Sequence, residues 1–276
     1  MMEALQYDFM RNALCAGVLV SLACGIIGTF VVVNRIVFIA GGIAHTAYGG
    51  IGLGYFFNFN PLLGAVAFST IAGLAMGIVQ RQTRERTDTT IGVMWAVGMA
   101  VGIILVDLTP GYKADLMSYL FGSILSVPTG DLQIMLGFDA IAIALVVLFY
   151  KELVAISFDE TFATIQNVPV NGIYFLLLGE IALTVVMMMQ VVGLILTIAL
   201  LTIPAAISTQ LVRDLKQMMA IACLLGVLFT FIGLWLSYTL NLTSGATIIL
   251  VSGTAYLSIL ALKWRSRRSA CGSIVK

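Results

Sequence analysis

From Ala13 to Val33 the chain runs without a single charged side chain, and apolar runs with at most one charged residue each recur to its end. The later ones lie near 36–57, 61–80, 90–108, 132–150, 171–189, 191–212, 217–240 and 246–262. A helix rises ~1.5 Å per residue, so about 20 apolar residues match the ~30 Å hydrocarbon layer of a bilayer. Inside lipid every backbone N–H and C=O needs a partner within its own segment, which for lone runs of this length means α-helix. Nine such runs predict an all-α polytopic membrane bundle with about nine transmembrane helices, one domain over residues 1–276. Composition agrees: 61% of residues are hydrophobic and 10% charged, with a mean hydropathy of +1.08. A soluble domain carries about 25% charged residues, and disordered chains carry more charge still. A net charge of +1 leaves no basic footprint for nucleic acid.

Charge placement orients the runs. With the N-terminus outside, the inner segments hold Arg35, Arg81, Arg84, Arg86, Lys151, Arg213, Lys216, Lys263, Arg265, Arg267, Arg268 and Lys276, which is 12 of the 14 basic residues. Only Arg11 and Lys113 remain outside. The positive-inside rule therefore predicts an N-out, C-in bundle in a bacterial inner membrane. The break between the sixth and seventh runs is placed at Gln190, because the merged run of roughly 40 residues would overshoot the bilayer. Ser21-Leu-Ala-Cys24 resembles a lipoprotein cleavage site, but the apolar run continues to Val33, so a retained first span is expected. The cysteines Cys15, Cys24, Cys223 and Cys271 are scattered, which fits neither a disulfide framework nor a zinc spacing.

Two segments do not span. Leu116 to Val127 is apolar but far too short to cross a bilayer, so a re-entrant or interfacial helix on the outer side is expected, with Asp131 capping the next span. Residues 157–168 are polar, lie on the inner side and end before Pro169. Ser157 or Asp159 can cap a short helix there. Such a helix has little reason to exist unless something docks on it.

Few side chains in the spans can carry chemistry. His45 is the only histidine and sits in the glycine-rich second span, ~14 Å deep by helical rise. Glu180 lies ~15 Å deep in the sixth span, and Asp139 ~10 Å from the outer face of the fifth. An imidazole and a carboxylate at one depth can bind a divalent cation or pair with each other. Asp107 and Asp115 would stand at the outer mouth, although any of the three aspartates alone can serve as a cap or helix-end charge. The glycines at 41, 42, 49, 50, 52 and 54 suit close helix packing, and Met187 to Met189 suit core filling better than soft ligation. The chain has no phosphate-binding G-x-x-x-x-G-K-[ST], no H-E-x-x-H and no G-x-S-x-G, which points to a conduit rather than an enzyme.

Four blocks then resemble one family: Val33 to His45, Asp88 to Met94, Asp115 to Val127, and Val192 to Ala206. Their order and spacing are similar to those of permease subunits of bacterial ABC importers for zinc, manganese or ferrous iron, across essentially the whole chain. The resemblance implies a permease homodimer in membrane lipid, cytosolic ABC ATPase subunits that hydrolyse ATP, and an extracytoplasmic metal-binding protein. It implies no permanently bound cofactor, only a transported divalent metal, with zinc favoured and manganese or iron the alternative. It implies that residues 157–168 form the helix that docks on the ATPase, with Asp159 and Phe162 at the contact. Family members often have glycine near Asn167, and asparagine is the next best residue for a left-handed turn. The family also carries an aspartate four residues before the histidine, on the same helical face, where this chain has Gly41. That departure makes Glu180 the candidate replacement, with His45, Glu180 and Asp139 as the expected ion path. A proton-driven secondary transporter would need inverted repeats with broken helices, and an intramembrane enzyme a nucleophile–base pair; neither is evident.

Overall fold

A computed structural model describes residues 6–82, 87–110 and 116–272. Twelve helices follow one another among them: α1 (Asp8–Val33), α2 (Val37–Phe56), α3 (Pro61–Gln82), α4 (Thr87–Leu108), α5 (Leu116–Phe121), α6 (Thr129–Leu148), α7 (Tyr150–Phe158), α8 (Glu160–Ile165), α9 (Val170–Val192), α10 (Leu194–Leu211), α11 (Leu215–Leu240) and α12 (Ser244–Gly272). Among the described residues, nine of them are long and apolar enough to cross a membrane: α1 to α4, α6 and α9 to α12. The expected spans are all present, with ends displaced by a few residues.

Helices α1, α2, α9 and α10 form the inner layer, and α3, α4, α6, α11 and α12 face outward. The bundle has two lobes. In one, α2 packs on α3 and α4; in the other, α1 packs on α10 and α11 with α12 behind them, and α9 bridges the two. The first lobe depends on missing side chains. Gly50 and Gly64 meet backbone to backbone, and a Cβ on Gly52 would lie 2.4 Å from the carbonyl oxygen of Gly102. Small residues at a lipid-embedded seam let backbones approach this closely, and dispersion then replaces the hydrophobic drive that lipid does not supply.

Three local expectations change. The break between the sixth and seventh spans is at Gly193, and Gln190 stays inside α9. Gly193 has φ +84°, a conformation that side chains disfavour. The outer segment Leu116 to Val127 is not one helix: α5 stops before Gly122 (φ +57°), and a 3-10 turn follows over Ile124–Ser126. Gly122 lies directly against Gly193, so a Cβ on either would clash with the other's backbone nitrogen at 2.2–2.4 Å. The segment is thus seated on the α9–α10 junction. Asp131 does not cap α6, because that helix starts at Thr129, after Pro128.

Candidate functional site

His45 sits on α2 with its ring stacked on the indole of Trp95 from α4, centroids 4.1 Å apart and planes 15° from parallel. Phe38, two turns earlier, also leans on Trp95. The stack holds the imidazole in place while its Nδ1 stays buried without a hydrogen-bond partner. One turn before His45, Gly41 is partly exposed, and a Cβ there would meet nothing within 4 Å. The site therefore offers one oriented nitrogen beside an open slot.

Glu180 and Asp139 are both buried, and none of their four carboxylate oxygens has a hydrogen-bond partner; nor does the hydroxyl of Thr184, one turn from Glu180. Asp139 is ten residues into α6, ~15 Å from its start, and so lies deeper than the sequence suggested. All three ionisable groups are near mid-helix. The structure does not bring His45 and Glu180 together. No ion pair joins them among the described residues. Their helix faces also differ. Val186 and Met189 line a cavity with Ile51 and Tyr55 of α2 and Ala65 of α3. Met189 is nine residues from Glu180, which at 100° per residue is half a turn around α9. Glu180 thus points away from the face that meets α2.

At the end of the bundle where α1 starts, Asp107 is exposed in the last turn of α4, and Asp115 lies outside the described residues. Tyr119 of α5 shares a 3.3 Å hydrogen bond with Tyr55 of α2 across the same cavity of about 180 Å³. Burial and this bond push the Tyr119 phenol well above its usual range.

At the opposite end, residues 157–168 form parts of two helices. Ser157 ends α7 and is no cap; its hydroxyl donates to the Leu153 carbonyl and accepts from Asn34 of α1. Asp159 caps α8, accepting from the amides of Thr161 (2.9 Å) and Phe162 (3.0 Å). Asn167 takes φ +58°, and the amides of Asn167 and Val168 close the turn onto Thr164 and Ala163. Ala163 faces the bundle, while Phe158, Phe162 and Ile165 project away from it, exposed. Arg81, at the end of α3, fixes this pair of helices: it bridges Glu160 at 3.2 Å, donates to Asn171 and lies 4.2 Å over the Tyr174 ring.

The profile of the ABC 3 transport family matches residues 6–263. The chain belongs to that family. It is 62% identical over 263 residues to an uncharacterized membrane protein of Synechocystis sp., covering 95% of this chain and 94% of that one. It is 31% identical over 276 residues to the manganese transport system membrane protein MntC of Halalkalibacterium halodurans, covering 97% and 94%. Among solved structures it resembles PsaBC from Streptococcus pneumoniae in complex with Fab, with TM-score 0.83, 30% identity, and 93% and 92% of the two chains covered. Family membership makes the chain the permease subunit of a metal ABC importer, a multi-pass protein of the bacterial plasma membrane and not the ATP-hydrolysing component.

Sequence reasoning about this ABC 3 permease missed Trp95, Thr184 and Arg81. Trp95 and Thr184 look like ordinary span residues, and only the fold shows one under an imidazole and the other beside an unpaired carboxylate. Arg81 carried a detectable signal, since it stands at a span end opposite the polar stretch around Glu160.

Proposed function

We propose that this permease moves manganese inward, as a homodimer driven by cytosolic ATPase subunits and supplied by an extracytoplasmic metal-binding protein. The observation that carries the reading is the Halalkalibacterium relative, matched along nearly its whole length and named for manganese transport. The donor set supports it. The buried unpaired groups are two carboxylates and a hydroxyl, with one imidazole; they form no cluster of three or more histidine, cysteine or acidic ligands among the described residues, and oxygen donors along a path suit manganese better than zinc. The zinc expectation rested on the family resemblance and gives way to its alternative, manganese.

In this reading the bundle end with α7 and α8 faces the cytosol, as the basic residues require. The exposed Phe158, Phe162 and Ile165 dock on the ATPase. Arg81 and Asn34 carry movement of that surface into α3 and α1. His45 borders the ion path on the partly open face of α2, and Gly41 leaves room for a water on the passing ion. The test is metal accumulation by a strain lacking its own importers and expressing the full system. Manganese should accumulate, and His45→Ala should abolish the gain. Accumulation of zinc with manganese unchanged would refute the metal assignment.

A further inference from the structure

Where α10 finishes, a groove of about 650 Å³ opens between its last turn and the outer helix α12, a volume within the range of ligand sites. Leu257, Leu260, Ala261 and Trp264 of α12 form its wall, and all four are exposed. They stand at i, i+3, i+4 and i+7, a single helical face. One turn before Leu257 the same face reaches Gly253, where an added Cβ would meet nothing within 4 Å. From Gly253 to Trp264 the face rises ~16 Å, about half of the ~30 Å hydrocarbon layer. The apolar wall is therefore one leaflet deep.

The head of the groove is positive. Lys263 donates from Nζ to the main-chain carbonyl of Gln210 at 2.8 Å, in the last turn of α10. That bond fixes a cation at the negative end of α10. An ammonium has three N–H groups, and the carbonyl takes one of them. The ion pairs among the described residues are Arg11–Asp8 and Arg81–Glu160, so no described carboxylate neutralises Lys263. Residues 263–268 read Lys-Trp-Arg-Ser-Arg-Arg, and no acidic residue follows Asp214. The spanning part of α12 ends at Trp264, and an indole at that level suits the headgroup region. A fixed cation, a basic run and an apolar wall one leaflet deep complement a molecule with an anionic head and an apolar tail. A soluble anion would leave the wall bare, and a zwitterionic lipid would leave the positive charge uncompensated.

We propose that this groove binds an anionic phospholipid of the inner leaflet. Its phosphate sits on Lys263, and one acyl chain lies along α12 from Trp264 towards Gly253. The leaflet follows from the orientation that the basic residues set, and the site is independent of the metal carried.

Native mass spectrometry of the permease–ATPase complex, released from nanodiscs of equimolar phosphatidylglycerol and phosphatidylcholine, tests the site. Wild type should retain phosphatidylglycerol in preference to phosphatidylcholine by about fivefold, the value of one basic side chain at an anionic surface. Lys263→Gln loses the charge but keeps N–H donors, and Ala261→Phe fills the wall from a position that faces lipid. Each should remove that preference with the complex intact, while Lys263→Arg should keep it. Arg35→Gln, which removes an exposed charge outside the groove, should also keep it. The wild-type preference alone decides the matter should a variant fail to assemble. Equal retention of the two lipids by wild type, or a preference unchanged in both Lys263→Gln and Ala261→Phe, would overturn the site. Displacement of the lipid by excess inorganic phosphate would overturn it in favour of a soluble anion. Retention seen only after the ATPase is stripped away would overturn it too, because the ATPase would then be the occupant.

Discussion

A single methyl group at Gly50 should force α2 off α3. A Cβ built there lies 2.1 Å from the carbonyl oxygen of Gly64, 2.4 Å from its carbon and 2.6 Å from the Cα of Ala65. Ordinary contact begins at 3.4 Å, so the two backbones must move apart by the difference. Every obstructing atom is main chain, and no side chain can swing aside. Over-packing of this kind costs about 1–3 kcal/mol, and the absence of an escape places Gly50→Ala near the top of that range. Alanine's better helix propensity returns about 1 kcal/mol, leaving a net loss of about 2 kcal/mol. For a chain of this size that corresponds to a fall of roughly 4–8 °C in the thermal midpoint of the detergent-purified permease. Gly41→Ala is the matched control: it lies in the same helix but has nothing within 4 Å of the added carbon, so its midpoint should hold or rise. His45 lies on α2 between the two positions, so Gly50→Ala should also lower metal uptake at temperatures where the protein stays folded. A Gly50→Ala midpoint equal to wild type, or a Gly41→Ala midpoint that falls as far, would refute the packing account.

Two further outcomes follow from the opposite end and from the orientation. Asp159→Ala removes both cap bonds of the six-residue α8, worth about 1 kcal/mol, and Arg81→Ala releases Glu160, Asn171 and Tyr174. Each should reduce co-purification of the ATPase and coupled uptake without loss of membrane insertion; retention of both in either variant would remove this surface from coupling. In a cysteine-free background, Thr129→Cys should react with a membrane-impermeant thiol reagent added outside and Asn167→Cys only after the cytosolic face is opened. Labelling of both from one side would invert or redraw the orientation.

Much of this protein could be read from residue order alone. Nine apolar runs of bilayer length, none with more than one charged residue, leave little choice but nine helices, because lipid offers no other partner for the backbone. Asp159 before a short polar helix and Asn167 at its end predict local geometry that depends on neighbours only a few residues away. The glycines of α2 announced close packing for the same kind of reason. Where a feature depends on a distant segment, the sequence was silent. The break falls at Gly193 and not at Gln190 because Gly122, from a far earlier part of the chain, presses its backbone there. A residue count alone puts His45 and Glu180 at similar depth, since depth is a count of residues multiplied by a fixed rise. Whether they face each other depends on how each helix is rotated about its axis when it packs. That rotation directs His45 to Trp95 on α4 and turns Glu180 half a turn from Met189, which lines a cavity with α2. Depth in a membrane is a one-dimensional property that the chain carries with it, whereas the partners around a buried carboxylate exist only after the helices have packed.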